Sequence, residues 1–339
     1  MEIKQNYSLR KHNTFGIDAQ ADWFISYRSL EDLHLLARDE YFQECYCVTI
    51  GEGSNLLFLT NFHGIILFSE LKTIELLGED DSHVDYLVGS GVHWDDFVQQ
   101  MTDLGLGGIE NLSLIPGQVG AAAIQNIGAY GVEVCQRIQA VHTFHRRTAE
   151  ERVFSVDECA YAYRHSIFKE PGYEDYIITH VHLRLDKKPS LQLDYADLRE
   201  RITQRYATPT PADVRREVIS IREAKLPDPK VIGSAGSFFM NPVVEASVFE
   251  ALHEQYPNAP HYPQPDGRVK VPAGWLIDTC GLKGYRLGHA GVYERQALVL
   301  INADGQATGQ DIANLAEYIQ QQVQARFGIH LEPEVRYIV

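Results

Sequence analysis

The chain has 339 residues, of which 45% are hydrophobic, 22% charged and 10% aromatic, the balance of a folded globular protein rather than a disordered or collagen-like one. At about 150 residues per domain, this length predicts roughly two to three domains. Thirty Lys and Arg against 46 Asp and Glu leave a net charge of −16, which opposes attraction to nucleic acid and to anionic lipid and so excludes a dedicated binder of either.

In chain order, residues 22–90 read as short strands broken by turns, at 22–28, 45–50, 56–59, 64–68 and 83–88, with one amphipathic helix over 30–40. A helix over 94–104 leads into a glycine-rich region, and strands recur at 137–144, 152–156 and 176–185. This is α+β patterning; without regular βαβ alternation, a doubly wound parallel sheet is disfavoured. Helical signals cluster over 195–224, where Thr210 and Pro211 offer an N-cap and a first-turn proline ahead of Val214, Val218 and Ile221.

The segment Lys225-Leu226-Pro227-Asp228-Pro229-Lys230 follows at once. Proline restricts itself and its predecessor, so this stretch is expected to be extended, as a linker or domain entry. Beyond it come a helix over 246–256, a proline-rich loop, a short helix over 273–280, a strand over 297–301 and a long helix. In that helix Ile312, Leu315, Ala316, Ile319, Val323 and Phe327 keep helical spacing, Thr308 caps the start and Gly328 ends it. A final strand is expected over 334–338.

The longest apolar runs, such as 56–59 and 297–301, fall far short of the about 20 residues that span a bilayer. The N-terminus carries Lys4, Arg10 and Lys11 with no apolar stretch behind them, unlike a secretory signal, so a cytoplasmic protein is expected. Five scattered cysteines without a C-x-x-C read as reduced thiols. Fourteen histidines include no H-E-x-x-H; His180 and His182 read as a solvent-facing pair on a strand, and no metal site is expected.

Several stretches could carry chemistry. Gly51-Glu52-Gly53-Ser54-Asn55 follows an apolar strand; it is either a hairpin turn or a cradle that aims backbone N–H groups at an anion. It is not the dinucleotide fingerprint, since Leu56 stands where a third glycine is needed. From Ile115 to Gly131, IPGQVGAAAIQNIGAYG has almost no side-chain bulk, which suits tight packing or a flat cofactor approached by backbone. Tyr163-Arg164-x-Ser166-x-Phe168-Lys169 could hold a carboxylate or make surface ion pairs. Ser237, ahead of Phe238 and Phe239, lacks a G-x-S-x-G elbow and could equally be a turn residue. Glu334 and Arg336 share a face of the last strand, where an ion pair would suffice to explain them.

Together and in this order, Asn13-Thr14-Phe15-Gly16, GEGSN (51–55), the 115–131 stretch, YRHSIFK (163–169), KLPDPK (225–230), GSFFMNP (236–242), AGWLID (273–278), QALVLIN (296–302) and LEPEVR (331–336) cover nearly the whole chain. The set resembles the UDP-N-acetylenolpyruvoylglucosamine reductases of bacterial cell-wall synthesis, in the longer form with a tyrosine-bearing loop. The resemblance implies an α+β protein with a vanillyl-alcohol-oxidase (PCMH)-type FAD-binding fold: a subdomain over 1–74 joined by the C-terminal strand 332–339, a second over 75–226, and a smaller α+β substrate domain over 227–331. It also implies non-covalent FAD, NADPH as hydride donor, and a cytoplasmic monomer without nucleic-acid or membrane partners.

By the same resemblance, Gly51, Gly53, Ser54, Asn55, Ile115, Pro116, Gly117, Gly120, Ala121, Asn126, Gly128, Ala129 and Tyr130 hold the flavin. Tyr163, Tyr195, Lys225, Asn241 and Gln296 bind the substrate, Lys225 at its diphosphate. Hydride from flavin N5 adds to the terminal methylene of the enolpyruvyl group, and charge builds toward the carboxylate. Arg164 and a protonated Glu334 stabilise that charge, and Ser237 gives the proton. Met240 departs from the Lys or Arg usual at its position, and Gln118 falls at a variable one. The competing readings are an oxygen-using sugar or alcohol oxidase on the same fold, and a flavin-free sugar-nucleotide-binding protein.

Overall fold

A computed structural model describes residues 1–339, which divide into two compact units. The first holds Met1–Tyr7, Ala21–Glu52 and His63–Ala224; the second holds Ser8–Gln20, Gly53–Phe62 and Lys225–Val339. Among the described residues no helix is long and apolar enough to cross a membrane.

The first unit is built on two sheets. One orders its strands Glu2–Ser8, Gln20–Tyr27, Phe62–Ser69 and Cys47–Ile50, the last two running parallel. The other is antiparallel and orders Glu150–Ser155, Ile138–His145, Tyr176–Asp186, His83–Gly89 and Ile74–Glu79. Alternation along Tyr176–Asp186 buries Ile177, Val181, Leu183 and Leu185, with Val181 between Val141 and Val88. Helix Trp94–Asp103 presents Trp94, Phe97, Val98 and Met101 on one face to that core. Each such buried side chain contributes about 1.5–3 kcal/mol. The indole N–H of Trp94 donates to the Leu112 carbonyl at 2.9 Å, so its polar edge is satisfied too.

In the second unit, helix Gly309–Phe327 is the spine of the core, with Ile312, Leu315, Ala316, Ile319 and Val323 fully buried. Thr308 and Asp311 form a reciprocal capping box, and Gly328, at φ +67°, closes the C-terminus. Gly309 admits no side chain, because a Cβ there would lie 1.8 Å from the Phe58 carbonyl oxygen. The strand that carbonyl belongs to, Leu56–Phe58, pairs in parallel with the last strand, Arg336–Ile338. A four-stranded sheet orders Gly233–Ser237, Val299–Asn302, Ala290–Val292 and Arg286–Leu287. Its buried Asn302 donates to the Phe15 carbonyl and accepts from Ala307 N–H.

The departures from expectation have local causes. The helix expected over 30–40 is two, Leu30–Leu36 and Glu40–Glu44, because the Asp39 carboxylate caps a second start by accepting from Phe42 N–H at 3.0 Å. The 225–230 stretch is not extended: the helix runs to Lys225, and Asp228 then closes a turn by accepting from Lys230, Val231 and Ile232 N–H groups. Helix Val119–Gln125 lies inside the glycine-rich stretch, where its alanines supply propensity without a periodic signal. His180 and His182 are half-buried rather than solvent-facing. His182 sits 2.8 Å from Asp85, and burial, aided by a second histidine, holds the pKa of His180 and of His142 below the usual range.

The capping box predicts that Thr308→Ala lowers the stability of the second unit by about 1 kcal/mol, read as a lower denaturant midpoint at unchanged slope. No change in midpoint would contradict it.

Candidate active site

The strand Cys47–Ile50 delivers Gly51 against the 115–131 stretch. A Cβ on Gly51 would sit 3.2 Å from Ala121 Cβ and 3.4 Å from Gln118 Oε1. The Glu52 carboxylate accepts from Gly117 N–H at 3.0 Å and lies 3.3 Å from His93, whose hydrogen bond to Glu52 raises its pKa. Gln118 is buried, and its amide donates to the Ser69 and Gly91 carbonyls. Gly120 is equally constrained, since its Cβ would lie 2.7 Å from Ser90 Cβ. Tight packing therefore explains Gly51 and Gly120, while Gly117 and Gly131 answer to backbone angles of φ +121° and +83°.

That packing leaves Ile115, Ala121, Gly128 and Ala129 half-buried, small or apolar groups on one continuous stretch. A Cβ at Gly131 would meet nothing within 4 Å. Such a low-relief floor fits a flat ring system approached by backbone, as FAD requires. Asn126 serves it differently: its side chain is spent inside the protein, donating to Ala162 O at 2.9 Å and Glu133 at 3.1 Å and accepting from Cys135 N–H.

Arg164 stands on a loop zipped to the same stretch. Ser166 donates to Ile124 O at 2.6 Å and Lys169 to Gln125 Oε1 at 2.9 Å, while the Arg164 guanidinium donates to Gly128 O at 2.8 Å. Lys169 also reaches the Arg164 carbonyl at 2.8 Å, so Ser166 and Lys169 both take part in holding the loop. Arg164 takes φ +55°, and Leu114, Asn126 and Tyr130 are left-handed as well, at +58°, +47° and +49°. Each costs about 1–3 kcal/mol, strain that the hydrogen bonds around it must offset. The guanidinium also lies over the Tyr163 ring at 5.1 Å.

In the second unit, Gly53 takes φ +66°, and a Cβ there would lie 2.1 Å from His12 O. Asn55 donates to the Glu334 carbonyl at 3.0 Å and accepts from Arg336 N–H at 3.0 Å, tying GEGSN to the last strand. Glu334 N–H donates to Phe238 O at 2.8 Å and Met240 N–H to Glu332 O at 2.9 Å, so Ser237 and Glu334 occupy neighbouring positions. Gly236, at φ +68°, and a register shift after Ser234 leave Ser237 exposed while Phe238 and Phe239 are buried. The Asn241 side-chain oxygen Oδ1 accepts from Ala273 N–H at 2.9 Å, and Gln296 Oε1 would lie 3.2 Å from a Cβ on Gly274. Both thus flank the start of helix Ala273–Thr279.

Of the remaining residues, Tyr195 is exposed next to Tyr130, their rings 5.1 Å apart, and Lys225 ends helix Pro211–Lys225. The structure thus groups Arg164, Tyr163, Gly128, Tyr130 and Tyr195 in the first unit, and Ser237, Glu334, Asn55, Asn241 and Gln296 in the second. Sequence reasoning missed Glu52, Asn111 and the Asp95–Arg215 pair. Glu52 was visible as an acid inside a glycine turn, and Asn111 as an amide within an apolar run.

Residues 228–338 match the family model for the C-terminal domain of UDP-N-acetylenolpyruvoylglucosamine reductase, and residues 21–146 that of an FAD binding domain. The chain is 57% identical over 339 residues to the UDP-N-acetylenolpyruvoylglucosamine reductase of Porphyromonas gingivalis, covering 100% of both. It is 48% identical over 336 residues to that of Bacteroides fragilis, covering 99% of this chain and 100% of the relative. Among solved structures, the UDP-N-acetylenolpyruvylglucosamine reductase of Thermus caldophilus aligns with a TM-score of 0.69 at 26% identity, over 100% of this chain and 98% of that one.

The Asp95 carboxylate takes both arms of the Arg215 guanidinium and the Leu114 N–H, anchoring the start of the floor. Burial alone would raise its pKa, but those hydrogen bonds outweigh it and hold the carboxyl below its ordinary value. Its contribution is therefore complete above about pH 4, the unfolded value, and is lost as pH falls through the lower folded one. Asp95→Asn should cost about 2–3 kcal/mol at neutral pH, with the gap to the parent closing in acid. An unfolding gap that stays constant into acid would contradict the pairing.

Proposed function

The chain belongs to the UDP-N-acetylenolpyruvoylglucosamine reductase family, and from that premise we propose how its own residues carry the reaction. It is an FAD- and NADPH-dependent oxidoreductase of peptidoglycan precursor synthesis, reducing the enolpyruvyl group of UDP-N-acetylglucosamine enolpyruvate to give UDP-N-acetylmuramate. When bound, FAD supplies from N5 the hydride that NADPH provides, directed to the terminal methylene carbon. Gly51, Gly53, Ser54, Asn55 and the floor from Ile115 to Tyr130 hold it.

The protein's own task is the charge that develops on the neighbouring carbon and its carboxylate. Arg164, aimed by the Gly128 carbonyl, offers that carboxylate a charged fork. Glu334, when protonated, donates a hydrogen bond to the same group. Ser237 gives its hydroxyl proton to the carbon that carries the charge. A serine is a weak acid, but a carbanion-like centre is strongly basic, so position matters more than acidity; water or a neighbour restores the proton. Tyr163, Tyr195, Lys225, Asn241 and Gln296 bind the sugar nucleotide, Lys225 at its diphosphate.

The observation that supports this reading is the pairing of 238–240 with 332–334, which sets Phe238, the residue after Ser237, opposite Glu334. We assign 1–74 with 332–339 and 75–226 as the flavin-binding subdomains and 227–331 as the substrate domain. The separate sheets of the first unit and the bonding of 336–338 to 56–58 support that division. A cytoplasmic monomer completes the reading, and the charge of −16 supports the absence of nucleic-acid and anionic-membrane partners.

Ser237→Ala should leave flavin reduction by NADPH intact and slow reoxidation by the sugar nucleotide by about 10²-fold or more, since only the second half-reaction needs the proton. Stopped-flow absorbance separates the two. Equal losses in both would remove Ser237 from the proton path.

A further inference from the structure

Asn111 lies in the short helix Glu110–Leu112 and is fully buried. The residues on either side of it are tied down. The Leu112 carbonyl accepts from Trp94, the Glu110 carbonyl accepts from the Ser113 hydroxyl, and the Glu110 carboxylate accepts from Gly108 N–H. From that rigid base the Asn111 amide nitrogen donates to two carbonyls, those of Tyr130 and Gln192, each at 2.9 Å. Two converging acceptors demand the NH₂ end of the amide. The cost is visible at the other end, where Oδ1 is buried without a partner among the described residues, a penalty of the kind that structural side chains avoid.

The two carbonyls belong to segments far apart in sequence, the 128–131 end of the flavin floor and the approach to Tyr195. Tyr130 and Tyr195 also meet edge to face, and the Arg222 guanidinium is buried nearby. Beyond Gln192, Arg199 donates to Leu193 O at 3.1 Å, and Tyr195 itself flanks helix Ala196–Arg205. The chain between Gln192 and Tyr195 therefore has one end pinned by Asn111, while its tyrosine remains exposed.

We propose that Asn111 is a positioning residue: by bonding the Tyr130 and Gln192 carbonyls at once, it sets the Tyr195 loop against the flavin floor and so tunes binding of the sugar nucleotide. This rests on the assignment of Tyr195 to substrate binding. It touches neither substrate nor cofactor, and its effect runs through Tyr195. Removing the amide frees the loop and weakens the sugar nucleotide's hold without altering hydride delivery from NADPH.

A double-mutant cycle on the flavin-loaded enzyme tests it. Asn111→Ala and Tyr195→Ala should each raise the dissociation constant of the sugar nucleotide in the oxidative half-reaction about tenfold, the effect of one lost buried hydrogen bond. The double variant should be no weaker than the worse single one, and flavin reduction by NADPH should be unchanged in Asn111→Ala. Amide hydrogen exchange at 192–195 should speed up in Asn111→Ala while that of strand Ile138–His145 does not. If Asn111→Ala does not fold, Asn111→Ser reads the same cycle. Independent, multiplying effects, or a silent Asn111 beside a responsive Tyr195, overturn the inference and leave the Tyr195 assignment standing. A silent Tyr195 overturns that assignment first, and the inference with it.

Discussion

Two backbone hydrogen bonds, Glu334 to Phe238 and Met240 to Glu332, hold the end of the chain against the loop that follows the serine strand. Much of the second unit is arranged around this short pairing. Asn55 fixes the Glu334 carbonyl from the other side, and the strand that follows continues in register with 56–58. Phe238 and Phe239 are buried to either side of the pairing, so the polypeptide cannot slide. A one-residue slip would exchange the inward and outward side chains and take Glu334 away from Ser237. The proposed proton donation by Ser237, a weak acid, would have little tolerance for such misplacement.

The first unit solves a different problem, that of giving a planar cofactor close access to backbone. Bulk is removed where segments cross, at Gly51 and Gly120, and the freed backbone is then pinned by polar side chains that are themselves buried, among them Gln118 and Asn126. Four non-glycine residues in left-handed conformations are concentrated here. The strain is matched by the zipper that joins Ser166, Lys169 and Arg164 to 124–128. The Gly128 carbonyl takes part in ordering the long Arg164 side chain before any ligand arrives.

Much of this was legible in the sequence because it depends on short-range chemistry. The long helix announced itself through its spacing, its Thr308 cap and its Gly328 stop, and the central strands through alternation. Arg164, Ser237 and Glu334 stood out only once the separate motifs were read as a set. Helix Val119–Gln125 was hidden because glycine and alanine carry no periodic contrast. The edge strands Glu2–Ser8 and Ile74–Glu79 are largely exposed and so lack a buried face to mark them. Asn111 and Glu52 were missed for another reason: each stands out locally by residue type, but the backbone groups it bonds are distant in sequence and the sequence does not say which they are. Met240 enters the pairing through its backbone N–H, whatever side chain it carries.

The central claim is that this chain passes hydride from NADPH through FAD to an enolpyruvyl sugar nucleotide. Its most direct test is an anaerobic visible spectrum of the purified protein, taken before and after one equivalent of NADPH and again after adding UDP-N-acetylglucosamine enolpyruvate. The account predicts a yellow flavin band that bleaches with NADPH and returns with the sugar nucleotide in the absence of oxygen. A band that only oxygen restores, or no band even after FAD is supplied, would contradict it.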